Sequence, residues 1–176
     1  MKTKGKLLIA LLCVLIACFA WSPAVLAVPT TAEIAADPVV AAEIKPLAGN
    51  LTIQEIAADP VVAEAINNAW ADSNAGNATH RHEEGGWILQ DIESGNLSVQ
   101  SWPHGDHDSI DPGSPPEIPG KKVVGHYHTH PNPPTDENGD QWEQGPSESD
   151  ENFANHHNLP GVVRNAGGTE FFGPDS

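Results

Sequence analysis

Apolar residues change their spacing once along this chain. Between residues 60 and 73, Val62, Ile66, Ala69 and Trp70 recur at intervals of one to four, which suits a helix with one buried face. From Glu83 the period shortens. Residues 85–90 read as a strand, Glu93-Ser94-Gly95-Asn96 has turn chemistry, and residues 97–102 alternate as a second strand, so the pair forms a hairpin. Residues 121–130 form a third strand that Pro131 stops. A helix is expected over 149–157, and one or two closing strands over 161–164 and 170–172, across an Asn165-Ala166-Gly167-Gly168 turn. Two stretches rich in Pro, Gly, Asp and Ser, 104–120 and 132–146, are long loops. The pattern predicts an α/β (α+β) domain, a curved and mostly antiparallel sheet flanked by helices.

Ahead of the domain lies an internal repeat. Glu33-Ile34-Ala35-Ala36-Asp37-Pro38-Val39-Val40-Ala41 returns unchanged as residues 55–63. In each copy Asp caps a helix whose first residue is Pro, where the missing N–H is no loss. Two copies are too few for a solenoid. Residues 28–59 are therefore read as an Ala-rich helical arm, a surface for a protein partner, and 60–176 as the domain.

Composition and charge narrow the setting. The chain has 176 residues, with 8 Lys+Arg against 24 Asp+Glu and a formal charge of −16. Three of the lysines (Lys2, Lys4, Lys6) precede an apolar run from Leu7 to Ala20, and Val25-Leu26-Ala27 suits a signal peptidase, so 1–27 reads as a signal peptide. The protein is expected to be secreted or periplasmic. A second reading makes Leu15-Ile16-Ala17-Cys18 a lipobox, with a lipid anchor on Cys18 and no other membrane contact. Both cysteines, Cys13 and Cys18, fall in this leader, which leaves a simply cleaved chain without disulfide, thiol nucleophile or cysteine-bound zinc. So acidic a chain repels nucleic acid, and no nucleic-acid partner is expected.

The candidate chemistry sits on the third strand and its surroundings. In Gly125-His126-Tyr127-His128-Thr129-His130-Pro131, alternate residues share a face, which brings the three histidines side by side. Two imidazoles and one carboxylate fill three positions of a zinc tetrahedron and leave the fourth to water, the arrangement of catalytic rather than structural zinc. His128, His130 and Asp150 supply that set. Glu83 or Glu84 offers a carboxylate to move a proton, and Ser147 a hydroxyl for an oxyanion.

The ordered set of Glu, His-Thr-His-Pro and Ser-x-x-Asp resembles the JAMM signature of the JAB1/MPN/Mov34 metalloprotease superfamily, over the last two-thirds of the chain. It looks most like the bacterial branch found in secreted or toxin-associated proteins. The resemblance implies a JAB/MPN fold with cytidine-deaminase-like layering and one zinc per chain on His128, His130 and Asp150. It makes Glu83 the acid/base, because the family Glu stands three residues before a strand Gly, as Glu83 does before Gly86. It makes Ser147 the oxyanion partner, and peptide or isopeptide bonds of a peptide or protein the substrate. The loop between Pro131 and Ser147 is longer than in eukaryotic deubiquitinases. Other uses of these residues fit less well. A cupin would need Glu137 on a strand, a histidine-triad hydrolase would need apolar residues at 129, 131 and 132, and a calcium loop over 136–147 lacks its Gly. The non-enzymatic alternative keeps the fold as an exported, zinc-stabilised binding module.

Overall fold

The computed structural model describes residues 51–176. The expected signal peptide, Cys18 and the first repeat copy lie outside these residues. Eight elements follow in order: α1 (Ile53–Ala58), α2 (Pro60–Asp72), β1 (Gly85–Asp91), β2 (Leu97–Ser101), β3 (Lys121–Thr129), α3 (Glu148–His157), β4 (Gly161–Asn165) and β5 (Gly168–Phe172). The architecture is α+β, a five-stranded mixed sheet of order β2-β1-β3-β4-β5 with helices on both faces. Three of the four strand pairings are antiparallel; β3 and β4 run parallel, joined through α3. No described helix is long and apolar enough to cross a membrane.

One face carries the main core. Ile53 and Ile56 of α1 and Val62, Ile66 and Ala69 of α2 pack with Ile88, Leu97, Val124, Tyr127 and Val162 from the sheet. At about 1.5–3 kcal/mol per buried aliphatic side chain, this layer is a large share of the folding free energy. It also moves the domain boundary. Ile53 and Ile56 are 1% and 2% exposed, so the folded unit includes residues 51–59, which the expected boundary at 60 assigned to an arm. The Asp-Pro junction behaves as its chemistry requires: Asp59 accepts from Val61 N at 3.0 Å and Pro60 opens α2. Thr52 and Glu55 close a reciprocal capping box at the start of α1.

The other face holds α3 and the long 102–120 loop. Trp87, Leu89 and Trp102 are covered by Ile110, Ile118, Val123, Phe153 and Leu159, while Ala154, Val163 and Phe172 form a small cluster beside them. Phe172 lies over Gly161, where a Cβ would collide with its ring, and its edge meets His126 and His128 at 5.3 and 5.9 Å between ring centroids.

A bulge in β3 decides which way the histidines face. Leu89 pairs with Val123 but Ile88 pairs with Gly125, leaving Val124 as the extra residue. Strict alternation would put Val124 on the histidine face. Instead Val124 and Tyr127 enter the α1/α2 core, while Val123 packs on the opposite face, to which Trp87, the register partner of His126, also belongs. One extra residue thus lets both ends of the strand bury apolar side chains on two different layers.

Candidate metal centre

Three segments converge at the end of β3 that lies nearest the start of β1. Glu83 stands two residues before Gly85, the register partner of His128. Its backbone is clamped by the long loop: Glu83 N donates to the Asp106 carbonyl and Gly105 N to the Glu83 carbonyl, both at 2.8 Å. Glu84 is fixed to β3 instead. Its N–H donates to Thr129 Oγ1 at 3.0 Å, and its carbonyl accepts from Thr129 N at 2.9 Å. Successive extended residues point to opposite sides, and here that separates the two acids. Glu83 is buried with the histidines, whereas the Glu84 carboxylate pairs with His82 Nε2 at 2.9 Å.

The donor atoms meet closely. Nε2 of His128 and Nε2 of His130 are 3.1 Å apart, and Asp150 places one carboxylate oxygen 3.3 Å from the first and the other 3.5 Å from the second. Glu83, His128 and His130 each offer a ligand atom within 4.8 Å of the other two. Two imidazole nitrogens turned toward each other share at most one hydrogen bond between them. With carboxylates at hand, they suit a cation. Glu83, His128 and His130 thus form a set of side chains that could hold a metal ion, with the Asp150 carboxylate beside the two imidazoles.

Asp150 is aimed by the start of α3. Ser147 is the N-cap of that helix; its Oγ accepts from Asp150 N at 3.2 Å, and its N–H and hydroxyl each donate to Asp150 Oδ2 at 2.7 Å. Ser-x-x-Asp is thus a capping box as well as a motif element. His156 and His157 stand in the last turn of α3.

The electrostatics of the cluster follow from burial and proximity. Burial lifts Glu83 to about 7; His130 opposes the rise, and Asp150 and Asp108 add to it. Burial alone would raise Asp150 as well, but hydrogen bonds from His128 and His130, the charge of His128 and the Ser147 hydroxyl outweigh it. They hold the carboxyl well below its usual range. For His130 burial works against charge, yet the Asp150 hydrogen bond, the charges of Glu83 and Asp150 and the Gln144 carbonyl raise it overall.

His126 shares the strand face but not the donor cluster. Its ring lies among Trp87, Trp102, Phe153 and Phe172, and both ring nitrogens lack hydrogen-bond partners. Burial, helped by His128, lowers its pKa to about 3, so it stays neutral.

Three further residues hold the site together, and their roles depend on contacts across the chain. Asn132, buried just past His130, donates to the His107 carbonyl at 2.7 Å and so ties the 102–120 loop to the histidine strand. Gln144 donates to the Asn132 carbonyl at 3.0 Å, and Arg81 grips Glu137 with two bonds of 2.8 and 2.9 Å. Asp136, considered as a calcium ligand, spends Oδ1 on the Asn138 and Asp140 N–H groups and Oδ2 on Trp142 Nε1. No family model, curated protein or solved structure matches the chain.

Proposed function

We propose that the chain is an exported zinc hydrolase of the JAMM type that cleaves peptide or isopeptide bonds. One observation carries the reading. Glu83, His128, His130, Ser147 and Asp150, from three separate segments of the sequence, gather in one place, with two imidazole nitrogens and the Asp150 carboxylate close together. Two nitrogens and one oxygen suit zinc better than the harder magnesium or calcium.

When bound, zinc polarises the scissile carbonyl and lowers the pKa of water. His128, His130 and Asp150 would hold it. Glu83, set within reach of both histidines and shielded from bulk solvent, takes a proton from the attacking water and returns it to the leaving nitrogen. Ser147 orients Asp150 through its hydroxyl, and serves an oxyanion only by exchanging that 2.7 Å bond for one to substrate. Export rests on the leader, and the acidic surface keeps peptide rather than nucleic acid as the partner.

The test is cleavage of peptide and lysine-isopeptide substrates by the purified chain, with activity lost to a chelator and restored by one equivalent of zinc. Chelator-resistant cleavage would sink the zinc assignment. Zinc-loaded protein inert on every substrate would leave the binding module. Ser147→Ala should weaken zinc binding by about 10–100-fold, as loss of an orienting partner does. The same change should cost about 1 kcal/mol of stability from the lost cap. A zinc competition titration and a thermal melt separate the two effects.

A further inference from the structure

Two chambers meet at the centre. The larger, about 360 Å³, contains Glu83, His130, Ser147 and Asp150 and is bordered by Asp108 and Glu143. The smaller, about 70 Å³, is walled by Trp102, Ile110, Pro112, His126 and Phe153 and reaches His128 and Asp150. Ile110, Ser149 and Asp150 line both.

The small chamber has the features of a receptor rather than of a packing fault. Voids in cores cost stability and are few. This one lies against two of the metal-facing side chains. Its walls include indole, phenyl, isoleucine and proline surface, with Asp150 the one acid. Two wall residues, Trp102 and His126, carry buried ring nitrogens without partners, the kind of local cost that proteins accept at functional sites. Size limits what enters. A dry cavity of about 150 Å³ admits benzene, so less than half that volume suits two or three heavy atoms.

Resting on the hydrolase reading above, we propose that this chamber is its specificity pocket and receives a small apolar side chain, alanine- to valine-sized, next to the scissile bond. The peptide backbone then lies in the larger chamber, and Ile110 and Ser149 form the lip between the two. A phenyl ring is too large to enter. Ser149 is solvent-exposed on the first turn of α3, so a bulky residue there closes the lip without touching the core.

The experiment follows the Trp102 indole N–H by NMR in the zinc-loaded full chain during titration with acetyl-alanine-amide or acetyl-phenylalanine-amide. The alanine probe should shift this resonance saturably, with at least tenfold tighter binding than the phenylalanine probe. Ser149→Phe should abolish the response, and Phe153→Ala, which widens the chamber, should reverse the preference. A response absent with the alanine probe, equal for both probes, or unchanged in Ser149→Phe would overturn the pocket. Peptide cleavage measured alongside keeps the two readings apart. Cleavage without preference for small residues rejects the pocket and leaves the hydrolase. Saturable alanine binding without any cleavage supports the pocket and rejects the hydrolase.

Discussion

Glu83→Gln should lower the cleavage rate by about 10²–10⁴-fold, the range that general acid–base catalysis supplies, while zinc stays bound. The substitution keeps shape and hydrogen-bonding reach and removes only the capacity to accept a proton. Position makes Glu83 the group to test. It is buried, its backbone is gripped on both sides by the 105–106 segment, and its carboxylate faces both histidines. Burial lifts it to about 7, and a cation held by His128 and His130 would pull it down again, toward the ionised form that accepts protons. Glu84→Gln is the matched control, since that carboxylate pairs with His82, and it should leave the rate within about twofold. Metal content by mass spectrometry and rates on one peptide decide the matter. Full activity in Glu83→Gln would end its acid/base role. Loss of zinc would instead make Glu83 a ligand, the alternative that its place beside the two histidines allows.

Much of this is legible in the sequence alone. Asp-Pro gave the start of α2, alternation gave the β1–β2 hairpin, and the spacing of histidines, serine and aspartate picked side chains that the fold brings together. What sequence patterns missed has physical reasons. The β3 bulge changes face parity through a single unpaired residue, and the only local sign is Gly125 within a valine-rich strand. α1 looked like part of an arm because six residues are too few to stand alone as a helix; its burial depends on partners in α2 and the sheet. The clamp on Glu83 is made by backbone groups of a loop, and backbone donors carry no residue identity. Ser147 and Asp150, by contrast, could have been read as a capping box. The recognition motif and the helix signal are the same four residues, so helix formation itself sets the carboxylate toward the histidines.

Removing the metal should destabilise the protein as well as silence it, and His128→Ala shows why. In the metal-free state burial and the neighbouring Asp150 charge both raise the cost of ionising Glu83, so the two carboxylates repel when both are charged. A divalent cation turns that repulsion into attraction and gives His128 and His130 a common partner in place of one another. The described residues contain no cysteine, so no disulfide shares this task. Zinc at about 100 times its dissociation constant adds about 2.7 kcal/mol to the folded state, which for a domain of this size raises the melting midpoint by about 10 °C. Thermal unfolding with and without one equivalent of zinc should show that rise in the wild type. His128→Ala should show none, because a single imidazole and Asp150 cannot hold the ion at that concentration. Asp150→Asn should lose most of the rise and Glu83→Gln should keep it, a pattern that makes Asp150 the third ligand. The opposite pattern would exchange the two carboxylates, and a zinc-independent midpoint in the wild type would remove the metal centre altogether.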